Sequence, residues 1–160
     1  PRGRIYALRP AAGSANPRLD AFAIALKRFL VPLPRKVLAA GASWADTVVE
    51  HPKVNTIDIT SSSVTTYKVA GDTTVNGQHA WRIDRFTTIA QLGKGTEAGQ
   101  PLEISGSGTI TGMHFFTASG VFLGSQSTQR TDLMEKMNES EGAPIQQTLK
   151  STVELIPSGS

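Results

Sequence analysis

The sequence predicts a mainly β protein: a curved antiparallel meander with one amphipathic helix near its N-terminus. Three observations predict it. Only residues 17–30 repeat apolar side chains at three- and four-residue spacing. From Val48 onward, Thr, Ser, Val and Ile alternate between Gly- and Asn-rich turns. No strand–helix–strand rhythm and no internal repeat occurs, which argues against a parallel sheet and a solenoid. A length of 160 residues suits one ordinary domain.

The helix opens at Asn16-Pro17, with Asn as cap and Pro at the first helical position. Leu19, Phe22, Ala23, Leu26, Phe29 and Leu30 form its apolar face, and Pro32 ends it. That face is expected to pack on the protein's own sheet, with a membrane surface or a partner as the other destination. Residues 31–38 read as extended, proline-rich chain, and Gly41 to Trp44 as a turn into a short first strand, Val48 to Glu50. Val54 to Ala70 is the next strand. Asn76-Gly77 signals a type I′ hairpin, with His79 to Ala90 as the return.

Trp81, Ile83, Phe86 and Ile89 break parity, which predicts a bulge near Asp84-Arg85. Leu92 to Pro101 reads as a Gly-rich loop, including Gly93-Lys94-Gly95-Thr96. Leu102 to Thr117 is a long strand whose Gly106, Gly108 and Gly112 share a face with Ile104, Ile110 and His114, which permits sharp curvature or a close approach. Val121 to Leu133 returns, Asn138 to Gly142 loops, and Pro144 to Ile156 is the last strand. Ile145, Leu149, Val153 and Leu155 point inward there, in a half-buried alternation.

Charge divides the chain into a basic arm with its helix, residues 1–36, and a β domain, residues 37–160. The first part holds eight basic residues against one acid and the second eight against twelve, or +7 and −4. Arg2, Arg4, Arg9, Arg18, Lys27 and Arg28, with the apolar anchors Tyr6 and Leu8, are the candidate partner-binding residues. Such a segment attracts a membrane protein complex or an anionic membrane surface. Residue 1 is Pro, so the chain shown is expected to be processed or part of a longer one.

Chemistry is sparse. With no cysteine, thiolate metal sites, disulfides and cysteine nucleophiles are excluded. His51, His79 and His114 lack metal-ligand spacing, and no Gly-x-Ser-x-Gly elbow or phosphate-binding Gly motif occurs. Asp72 and Asp84 are the acids placed nearest a buried edge, and turn chemistry explains them. Trp44, Tyr67, Trp81, Phe86, Phe115, Phe116 and Phe122 are expected to be mostly core. They are not interleaved with basic residues, so no nucleic-acid partner is expected. No catalytic residue, metal or cofactor is predicted, and the chain is expected not to be an enzyme.

Three stretches carry a resemblance. These are Leu33-Pro34 leading to Gly41-Ala-Ser-Trp44-Ala-Asp46-Thr47, then Tyr67-Lys-Val-Ala-Gly71-Asp72-Thr-Thr-Val-Asn76-Gly77, then Phe115-Phe116-Thr-Ala-Ser-Gly120-Val121. Over residues 33–156 the chain resembles exported bacterial proteins with a long curved antiparallel sheet, and in broader shape the half-barrel of lipoprotein-carrier proteins. It also looks like the small extrinsic periplasmic subunit of bacterial photosynthetic reaction-centre–light-harvesting complexes. The resemblance implies a periplasmic, membrane-peripheral location and brings no catalytic residues. The expected function is therefore a non-enzymatic docking subunit of a membrane-associated complex. The alternative is a carrier or sensor of a hydrophobic ligand, lipid or lipoprotein, on the concave sheet face.

Overall fold

The computed structural model describes residues 31–34, 38–138 and 140–154. The expected helix and arm, apart from Val31–Pro34, lie outside them. Residues 1–38 and 39–160 form two compact units. In the first, Val31 is buried and Leu33 forms an isolated β-bridge.

The second unit is a single antiparallel sheet of seven strands: β1 Ser43–Glu50, β2 Lys53–Val54, β3 Ile57–Val75, β4 Gln78–Glu97, β5 Gln100–Phe116, β6 Phe122–Met137 and β7 Ser140–Glu154. Each long strand pairs with its successor, in the order β1-β3-β4-β5-β6-β7, and β2 pairs with the near end of β3. The sheet is open, with β1 and β2 along one edge and β7 at the other. This bears out the mainly β, curved antiparallel meander.

The strands are far longer than usual, and β4 is much longer than the expected His79–Ala90. A strand of 20 residues such as β4 spans about 66 Å at ordinary rise, against a usual length of about 5–6 residues. The predicted loop over Leu92–Pro101 is absent: β4 continues to Glu97, and the turn is only Ala98-Gly99, with φ 49° and 79°. Gly93 and Gly95 are strand residues facing inward. A Cβ on Gly93 would lie 3.3 Å from Ile104 Cβ, and one on Gly95 would strike the backbone of Thr56 and Ile57. The glycines that suggested a loop are there because the neighbouring chain leaves no room for a side chain. Asn76-Gly77 makes the predicted turn, with φ 49° and 76°.

Two further boundaries move. β1 starts at Ser43, five residues before the predicted Val48, because Ser43–Lys68 to Glu50–Ser61 is one unbroken register. β7 starts at Ser140, inside the predicted loop Asn138–Gly142.

The expected bulge also moves. β4 is regular through Asp84-Arg85, and the register shift lies in its partner, between Val69 and Gly71. Gly71 has φ 148°, a value open chiefly to glycine. Phe86 broke the sequence parity for a simpler reason: it projects from the outer face and is 47% exposed.

The inner face can be followed from rung to rung. One rung runs Val69–Ile83–His114–Ser125, another Thr65–Thr87–Ile110–Gln129, and another Ser61–Gln91–Gly106–Leu133. The core lies on this face, centred on β3, β4 and β5, where Val69, Ile83, Ile89, Ile110 and Leu102 are all buried. Gly106, Gly108 and Gly112 share the face with Ile104, Ile110 and His114, as the spacing predicts. A Cβ on Gly108 or Gly112 would come within 2.7 Å of a β6 carbonyl oxygen. The inner side is therefore the compressed one, and the sheet bends toward its core.

Candidate functional site

A polar band crosses the inner face beside its apolar core. Thr65 Oγ1 and Thr87 Oγ1 lie 2.9 Å apart and share a hydrogen bond in the interior, and Arg85 Nε donates to Thr87 Oγ1 at 3.0 Å. Beside Arg85, Tyr67 stacks on Trp44 with ring centroids 5.3 Å apart. His114 is 1% exposed between Ile83 and Ser125. Burial, and secondarily the positive charge of Arg85, lowers its pKa to about 4. The imidazole is thus neutral at pH 7. Buried hydroxyls require hydrogen bonding, so the bonds among Thr65, Thr87 and Arg85 hold these three side chains in one arrangement.

The outer face carries two other features. Phe86, Val64 and Val49 are successive diagonal neighbours on β4, β3 and β1, exposed by 47%, 45% and 55%. Further along, Leu92 and Met134 flank Ser105 on one rung and are 65% and 41% exposed. A shallow depression of about 280 Å³ lies over them, lined also by Lys94, Glu103 and Lys136. The next rung is a ladder of alternating charge. Lys53 Nζ lies 3.3 Å from Asp58, Asp58 faces Lys94, Lys94 Nζ lies 2.9 Å from Glu103, and Glu103 faces Lys136. The hydrogen bond between Lys94 and Glu103 raises the lysine pKa and lowers that of the carboxyl. Exposed pairs contribute little stability. Opposite charges in consecutive strands instead oppose a slip of register, which would part each pair.

The predicted partner-binding residues, Arg2, Arg4, Tyr6, Leu8, Arg9, Arg18, Lys27 and Arg28, lie outside the described residues. The three histidines do not meet. His51 Nδ1 is 3.2 Å from Thr60 Oγ1, His79 Nε2 is 3.5 Å from Asp72, and His114 is buried. Asp72 and Asp84 are not buried-edge acids: their side chains are 72% and 46% exposed, and Asp84 pairs with Arg82 at 3.0 Å. Among the described residues no group of three His, Asp or Glu could hold a metal ion. No described helix is long and apolar enough to cross a membrane.

The expectation for the aromatics needs correction. Tyr67 and Phe116 are buried, but Trp44, Trp81, Phe115 and Phe122 are only half-buried and Phe86 is exposed. A single sheet has one core face, so large residues of the other parity stay in solvent. The outer apolar patch was missed for that reason. Its signal was the wrong parity of Phe86, which local reading converts into a bulge.

No family model, no curated protein and no solved structure matches this chain.

Proposed function

We propose that the chain is a non-enzymatic docking subunit of a membrane-associated complex outside the cytoplasm, and that the outer face of its sheet is a contact surface. The observation that carries this reading is the exposed apolar set Val49, Val64, Phe86, Leu92 and Met134 on the side of the sheet away from the core. Isolated apolar residues on a surface are ordinary, but a set spread over neighbouring strands and rimmed by charges is the anatomy of an interaction surface. The charge of residues 1–36 adds attraction toward an anionic partner. The narrower reading, an extrinsic subunit of a photosynthetic reaction-centre complex, rests on the sequence resemblance. A hydrophobic-ligand carrier has less support, because Thr65, Thr87, Arg85 and His114 put a polar band across the inner face it would use.

The test is a pull-down from solubilised membranes with three full-length proteins: the parent, Phe86→Ser/Leu92→Ser, and Arg2→Gln/Arg4→Gln/Arg9→Gln. The parent is expected to recover a membrane complex. The outer-face variant should recover at least tenfold less, and the arm variant should associate more slowly with a weaker salt dependence. A parent that brings down no protein but elutes with stoichiometric lipid overturns the reading in favour of the carrier.

A further inference from the structure

The two edges of the sheet are finished differently. β1 presents Asp46 and Glu50 on its inner side, in register with Thr65 and Ser61. Inward-pointing charges are a standard guard against the addition of another strand. β7 has no such guard. Its inner side from Ile145 to Val153 carries Ile145, Gln147, Leu149, Ser151 and Val153, with no charge among them. Ile145, Leu149 and Val153 are 44%, 56% and 40% exposed. The side chain of Ser151 is already engaged, 2.7 Å from Ser127 Oγ, which leaves the apolar three as the open part of the flank.

We propose that β7 pairs antiparallel with β7 of a second copy of this chain, about a twofold axis through Leu149. The spacing of the residues selects both the partner and the register. With the axis at Leu149, Ile145 of one copy faces Val153 of the other, Gln147 faces Ser151, and Leu149 faces its own mate. Every apolar inner residue meets an apolar one and every polar residue a polar one. On the outer side, Lys150 faces Thr148, Thr152 faces Gln146 and Glu154 faces Pro144, so no like charges stand directly opposite. Moving the axis by one residue sets Ile145 or Val153 against a polar side chain and Leu149 against Gln147 or Ser151. Moving it by two restores the match but leaves one of the three apolar residues outside the paired segment. A heterologous joint between β7 and β1 of the next copy would bring Asp46 and Glu50 alongside the apolar row. The twofold joint is closed after one addition, since both remaining edges are the guarded β1 edges. The product is one continuous sheet made of two seven-stranded halves.

The chain has no cysteine, so single cysteines report the register directly. Residues opposite one another in an antiparallel pair lie about 4.5–5.5 Å apart between Cα atoms, inside the range that a disulfide spans. The full chain is expected to be dimeric by analytical ultracentrifugation at high micromolar concentration. Leu149→Cys alone should form a covalent dimer under mild oxidation. Ile145→Cys and Val153→Cys should cross-link only when the two are mixed. Leu149→Lys, which sets two ammonium groups on the axis, should weaken dimerisation at least tenfold while circular dichroism stays that of the parent. Because Leu149 is more than half exposed, the cysteine variant keeps the fold even if the lysine variant does not. A parent that sediments as a monomer at these concentrations overturns the proposal. So does a dimer in which Ile145→Cys alone cross-links as well as Leu149→Cys, or one that Leu149→Lys leaves intact.

Discussion

Ile83, Ile89 and Ile110, in the middle of the sheet, and Ile145, Leu149 and Val153, on β7, all project from the same face. The first three are at most 7% exposed and the other three 40–56%. Residue type, strand periodicity and face are the same in both regions. Only the place in the strand order differs: β4 and β5 have a strand on each side, whereas among the described residues β7 has β6 on one side alone. Alternation therefore assigns a side chain to a face, and the position of its strand decides whether that face is covered.

Substituting one apolar residue in each region tests the contrast most strongly. Ile83→Ala should destabilise by about 3 kcal/mol, because a fully buried branched side chain leaves a cavity. Leu149→Ala, measured on dilute protein, should change stability by less than about 1 kcal/mol, as at an exposed site. Urea unfolding of both variants checks this. Equal losses would mean that the flank is as much core as the centre.

The buried His114 gives the central region a pH dependence that the flank lacks. Its folded pKa of about 4 lies below the ordinary value of 6.5. Between those values the unfolded chain binds a proton that the folded chain does not, so stability falls as pH drops through that window. The slope approaches about 1.4 kcal/mol per pH unit, and the whole effect is up to about 3 kcal/mol. Above pH 6.5 both states are neutral and the contribution is constant. Denaturation midpoints from pH 7 to pH 4 should show the decline, and His114→Gln should flatten it. A parent and variant with parallel profiles would remove His114 as the cause.

The smallest effect concerns curvature. On Gly112, between β5 and β6, a Cβ would lie 2.7 Å from Gln126 O and 2.9 Å from Ser127 Cβ. On Gly124, facing β7, the nearest atom is Val153 O at 3.0 Å. Gly112→Ala should cost about 2 kcal/mol, since both obstacles belong to a neighbouring strand that must shift. Gly124→Ala should cost about half as much, because β7 has no strand beyond it to resist a small movement. Thermal melts of the two variants give the comparison, and a larger loss at Gly124 would mean that β7 yields less than β6.

The sequence by itself determined the elements that depend on local chemistry. Asn76-Gly77 fixed its own turn, because two consecutive positive φ values suit those residues and few others. Period-two alternation put Ile104, Ile110 and His114 on one face with three glycines, and the meander followed from strands joined by short turns. Glycine was ambiguous at the end of β4: Gly93 and Gly95 look like loop residues until Ile57 and Ile104 are seen pressing on them. Phe86 was misleading for a related reason, since a large aromatic residue suggests a core and only the assembled sheet reveals that its face is the outer one. Tertiary structure alone decided which edge is guarded by Asp46 and Glu50, that Lys94 stands between Asp58 and Glu103, and that the apolar residues of β7 stay in solvent. Each of these depends on which residues far apart in the chain become cross-strand neighbours, and local propensity does not encode that register.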